Sequence, residues 1–163
     1  MIIELHPPRS AGPFELAATG DEIVATMRQF GEPEMLCRAA GDRAGWCVTH
    51  PSGLFLSAYI DADDRAEAIE LGRPTDPAVA VTYGGLDIFQ TPAADLVEAL
   101  SRTTRVLEEE NGHSYTAPDL LLALWRPTTP EGLDDAEGNY FESVLIAEPG
   151  YYDKAQPTST TAG

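Results

Sequence analysis

Apolar and polar positions alternate in two registers along this chain, one suited to strands and one to helices. Ile2, Ile3 and Leu5 predict a first strand that Pro7-Pro8 ends, within an extended arm over residues 1–18. Thr19-Gly20-Asp21-Glu22 has the spacing of a capping box, in which a Thr hydroxyl and a Glu carboxylate satisfy each other's backbone amides. Ile23, Val24, Met27 and Phe30 then share one helical face, and Gly31 with Pro33 stops the helix, so a helix is predicted over Asp21–Phe30. The period next changes to two. Trp46–His50 is apolar, Pro51-Ser52-Gly53 turns, and Leu54, Leu56, Ala58 and Ile60 alternate with Phe55, Ser57 and Tyr59. Asp61-Ala62-Asp63-Asp64 is a second turn, where Asp side chains bond nearby amides, and Ala66–Leu71 completes a three-stranded meander.

Beyond a loop over Gly72–Pro77, Ala78–Tyr83 is a strand with Val79 and Val81 on one face. Gly84-Gly85 turns it toward Leu86–Phe89. Thr91-Pro92 opens a second helix, with Thr91 as N-cap and Pro92 at the first helical position; Leu96, Val97 and Leu100 form its buried side. Strands over Arg105–Glu108 and Ser114–Ala117 flank Asn111-Gly112, a pair that tolerates positive φ in hairpin turns. Leu120–Trp125 reads as a buried strand, with a helix started by Asp119 as the competing reading, and Tyr140–Glu148 is the last strand. The expected fold is α+β: one antiparallel sheet of about six to nine strands with two short helices packed on one side. Residues 1–156 are expected to form one domain and 157–163, rich in Ser and Thr, a mobile tail.

Charge narrows the function classes. Lys plus Arg is 10 against 27 Asp plus Glu, a formal charge of −17, and the only lysine is Lys154. A surface of this sign does not release counterions from nucleic acid, so neither nucleic acid nor an anionic membrane is expected as a partner. It does attract a basic protein, because opposite fields raise the encounter rate. No signal peptide or membrane span is visible, which makes the cytoplasm the expected compartment and Cys37 and Cys47 reduced thiols.

Candidate chemistry is sparse. Cys47 and His50 form a Cys-x-x-His pair that supplies two ligands where zinc needs four. Read as a calcium loop, Asp61 onward has Arg65, Ala66 and Gly72 at its fifth, sixth and twelfth positions, so it fails; Asp134 to Asn139 fails on spacing. No glycine-flanked serine elbow or phosphate-cradling loop is present. No cofactor and no metal are expected. Tyr140, Tyr151 and Tyr152, with Trp46 and the acidic pair Asp134 and Asp135, are instead the expected interface, since protein interfaces favour aromatic anchors.

Residues 16–71, with a capped helix ending in Gly31-Glu32-Pro33, then Trp46–His50, Leu54–Asp61 and a weak third strand, carry a family likeness. This order resembles the helix-then-meander unit of the β-lactamase-inhibitor-protein and small outer-membrane lipoprotein class. The sequence departs from that class in lacking a lipoprotein signal and a Lys-rich final strand, so membrane attachment is not implied. Small, acidic, Ala-rich and richer in Arg than Lys, the chain also resembles uncharacterised actinobacterial proteins, some of them immunity proteins of secreted toxin systems. The leading expectation is a non-enzymatic, acidic protein-binding module, specifically an immunity protein that neutralises a basic toxin. The alternatives are a self-associating structural protein that forms homo-oligomers through strand edges, and a small hydrolase or metal enzyme using Cys47 and His50.

Overall fold

A computed structural model describes residues 1–37, 41, 43–132, 134–135 and 137–151. In chain order the elements are β1 (Ile2–His6), β2 (Ser10–Ala11), β3 (Phe14–Glu15), α1 (Gly20–Met27), β4 (Glu34–Cys37), β5 (Arg43–Thr49), β6 (Phe55–Ile60) and β7 (Ala66–Gly72). There follow β8 (Ala80–Tyr83), β9 (Leu86–Asp87), α2 (Ala93–Ser101), β10 (Leu107–Glu109), a 3-10 turn (Glu110–Gly112), β11 (Ser114–Ala117), β12 (Leu122–Trp125) and β13 (Ser143–Ala147). The predicted tail over 157–163 lies outside the described residues.

The α+β class stands, but the strands divide between two sheets rather than forming one. The larger has the order β10-β11-β12-β13-β7-β6-β5-β4 and is antiparallel throughout. The smaller has the order β3-β2-β1-β8-β9, and in it β1 and β8 run parallel, with Ile3 opposite Val81. Parallel neighbours need a long connection, and here the whole β2–β7 segment supplies it. Nor do the helices form a layer on one sheet. α1 packs on β5 and β3, whereas α2 buries Leu96 and Leu100 in the apolar cluster to which both sheets contribute.

Local chemistry accounts for most elements. The capping box forms: Thr19 Oγ1 accepts from the Glu22 amide at 3.2 Å, and the Thr19 amide donates to Glu22 Oε2 at 2.9 Å. α1 ends at Met27, three residues short of the prediction, because the Gln29 and Phe30 amides reach back only three residues, to the Thr26 and Met27 carbonyls, and tighten the last turn. Phe30 still packs inward, its ring 5.3 Å from that of Phe14. The predicted Thr91 cap gives way to Pro92, which makes no side-chain bond; the first helical amide, Ala93, donates to the Asn139 carbonyl at 2.7 Å instead.

Of the segment over 120–125, Leu122–Trp125 is strand, entered through a turn with Leu121 at φ 54°. Asn111-Gly112 sits in a wider loop than a two-residue hairpin, since Glu110 also takes positive φ and Glu109 pairs with Ser114. Of Tyr140–Glu148, only Ser143–Ala147 is in the ladder. The short strands β2, β3 and β4 fall where no strand is predicted. No helix among the described residues is long and apolar enough to cross a membrane.

Candidate functional site

Side chains alternate across a sheet, so one set of positions on the large sheet faces away from the core. Leu56, Ala58, Ile69, Leu71, Val144, Ile146, Leu122 and Leu124 point inward and are buried. The pairing register then places Phe55, Gly72, Ser143 and Trp125 side by side on the outer face of β6, β7, β13 and β12. Phe55 is 36% exposed and Trp125 43%, which is high for rings of this size in a sheet. The two positions between them are small. Together with Glu70 these residues line an open-sided groove of about 420 Å³, with aromatic walls on a floor of Gly72 and Ser143. A Cβ on Gly72 would lie 3.1 Å from Phe55 Cβ, so any side chain there grows into the groove.

Glu70 stands one pleat further along, opposite Ser57 and Leu145. Its Oε1 accepts a 3.0 Å hydrogen bond from the Tyr59 hydroxyl. Burial, the Glu70 charge and this bond together push the Tyr59 phenol up to about 12. Tyr151 reaches the same region: burial first, and then the charges of Glu67 and Glu70, raise its phenol as well. The outer face therefore gathers Phe55, Tyr59, Trp125 and Tyr151 around carboxylates. No cation among the described residues forms a salt bridge with Glu70.

The groove is held by structure at the strand ends. Arg73 follows Gly72, pairs with Glu142 at 3.3 Å and lies over the Tyr140 ring at 4.9 Å; a second hollow of about 290 Å³ opens beside them. Arg126 follows Trp125 and is buried, and among the described residues it forms no salt bridge with a carboxylate. Its Nε donates to the Gly112 carbonyl at 2.9 Å and its Nη1 to the Gly138 carbonyl at 2.8 Å. The guanidinium also lies near the faces of Phe141 and Tyr115, at 5.7 and 5.9 Å. That clamp fixes the end of β12 and so the Trp125 wall.

The residues singled out in the sequence do not converge on one spot. Tyr151 belongs to the outer face and Tyr140 to its rim beside Arg73. Trp46 pairs with Ala58 and packs half-buried against the core on the opposite side. Asp134 is exposed. Asp135 accepts from the amides of Gly138, Glu131 and Glu137, which lowers its carboxyl and shapes the loop before β13. Tyr152 lies outside the described residues. Sequence reading missed Phe55, Glu70 and Trp125, although the side of β6 opposite its apolar stripe already showed two aromatics where polar residues are the rule.

Cys37 and Cys47 are both free thiols. Burial, followed by the charge of Glu34, raises the Cys47 thiol and so disfavours the nucleophilic thiolate. His50 Nδ1 accepts the Ser52 amide at 3.1 Å and lies 2.8 Å from Ser52 Oγ, an arrangement that closes the Pro51–Gly53 turn. Asp61, Glu67 and Glu148 bring carboxylate oxygens within 4.8 Å of one another, a donor set suited to a hard divalent cation. Asp61 Oδ1 already accepts the amides of Asp63 and Arg65 there. No protein-family model matches the chain, and no curated protein or solved structure matches it.

Proposed function

We propose that this chain is a non-enzymatic, acidic protein-binding module that works in the cytoplasm on a basic partner, as an immunity protein does when it neutralises a basic toxin. The observation that carries the reading is the outer face of the large sheet, where exposed Phe55 and Trp125 flank a groove holding Glu70. A solvated sheet face ordinarily carries polar side chains, and aromatic rings left in water there are characteristic of protein interfaces. The net charge of −17 supplies long-range attraction, and the rings supply the contact that remains after water leaves.

The experiment is association kinetics with a basic protein encoded beside this chain in its genome, measured at rising salt. Steering is screened as the Debye length shrinks from about 14 Å at 0.05 M to about 4 Å at 0.5 M, so kon falls about tenfold or more while koff changes little. A kon that does not respond to salt overturns the electrostatic reading.

A further inference from the structure

We infer that the groove between Phe55 and Trp125 is the receptor for one arginine side chain of the partner. The inference rests on the proposed binding function and assigns it a contact. Phe55 and Trp125 are separated by three strand spacings, about 14 Å between backbones, and the pairing through Gly72 and Ser143 keeps that interval clear of bulk. Two aromatic rings line the groove, and a planar guanidinium stacks on aromatic faces better than a hydrated ammonium does. Glu70 lines the same groove and gives the cation its counter-charge.

The Tyr59 hydroxyl occupies Oε1 of Glu70. It fixes the carboxylate and leaves Oε2 as an acceptor for a guanidinium N–H. Charge selects the occupant further. The groove belongs to a chain of net charge −17, and Glu67 lies near the same face, so an anionic or purely apolar side chain gains little there. A neutral apolar chain would meet the rings but leave Glu70 without a cation. An arginine satisfies both features at once, and a basic toxin surface supplies it.

The test is an amide NMR titration of the full chain with N-acetyl-Gly-Arg-Gly-amide and its lysine and norleucine analogues. The arginine peptide shifts the Gly72 and Ser143 amides and the Trp125 indole N–H saturably, and binds several-fold tighter than the lysine peptide. Glu70→Gln weakens it by roughly tenfold or more, since it removes a charge-assisted bond. Gln still accepts from Tyr59, so this variant keeps the fold, which its free spectrum checks. Gly72→Val fills the floor and abolishes the shifts, while Asp95→Asn on α2 changes nothing.

Equal binding of the norleucine or lysine peptide overturns the assignment, as does an unaltered Glu70→Gln titration. Shifts confined to the acidic loops at 61–64 and 131–137 also overturn it. The wider reading is judged separately, by the salt dependence of kon with the whole partner: a groove that fails here can coexist with electrostatic binding elsewhere on the surface.

Discussion

Removing the Arg126 side chain is the sharpest perturbation of the framework that carries the groove. The guanidinium makes two bonds to backbone carbonyls, Gly112 and Gly138, in a buried setting, and lies near two aromatic faces. Hydrogen bonds from a charged donor contribute about 1.5–3 kcal/mol each, and a cation over a ring about 0.5–2 kcal/mol. These terms are not additive, and the unfolded chain hydrates its guanidinium well, so the net loss for Arg126→Ala is about 3–5 kcal/mol. For a chain of this length that is a fall in Tm of roughly 6–20 °C. Urea unfolding followed by tryptophan fluorescence measures it, because Trp125 is the neighbouring residue. Arg126→Lys keeps the charge but not the fork that spans two carbonyls, and falls between wild type and Arg126→Ala. Loss of less than about 1 kcal/mol in Arg126→Ala would show that the clamp does not hold the loops together, and the account of a fixed Trp125 wall would fall with it.

Three further outcomes follow from single observations. The folded Tyr59 phenol titrates at about 12 against an ordinary 10.0, so the fold holds a proton that the unfolded chain gives up. The stability tied to it is complete below pH 10 and is lost as pH rises from about 10 to about 12. Tyr59→Phe flattens part of that alkaline decline in urea midpoints, and an unchanged decline would refute the assignment. Cys37 is exposed and Cys47 buried with a raised thiol, so a disulfide reagent at pH 8 labels Cys37 first in native protein, and equal rates would contradict the burial. A Cβ on Gly45 runs into the Ala58 carbonyl oxygen of the adjacent strand, so Gly45→Ala costs about 3 kcal/mol or more by calorimetry; a neutral result would mean the two strands can part without penalty.

What the sequence makes legible here follows the range of the interaction. The capping box at Thr19 and the alternation in β6 depend on residues within a few positions, and both form as their chemistry dictates. The extra sheet depends on β1 meeting β8, some 78 positions away in register, as Ile2 opposite Ala80 shows. Nothing in Ile2-Ile3-Glu4-Leu5 distinguishes that partner from a strand of the large sheet, because the same apolar alternation serves either. β4 escapes for a different reason. It is an edge strand, mostly exposed, and Glu34-Met35-Leu36-Cys37 has no apolar stripe to betray it. The cap on α2 shows the same limit, since the acceptor that replaces the Thr91 hydroxyl is the Asn139 carbonyl, brought by a loop far along the chain.

The groove follows the same logic. Each wall is visible alone: Phe55 and Tyr59 occupy the side of β6 opposite Leu56 and Ala58, and Trp125 alternates with Leu124 in phase with Ala123. What no single segment contains is the four-strand register that sets Gly72 and Ser143 between the rings. Shifting any one pairing by a residue would send a wall into the core and bring a Leu or Val outward. The groove therefore exists only if every inward residue of β6, β7, β13 and β12 is also correctly buried, so the apolar pattern that stabilises the sheet is the same pattern that fixes the spacing of its outer aromatics. Binding and stability are coupled through that register, and a partner that reads the spacing reads the core indirectly.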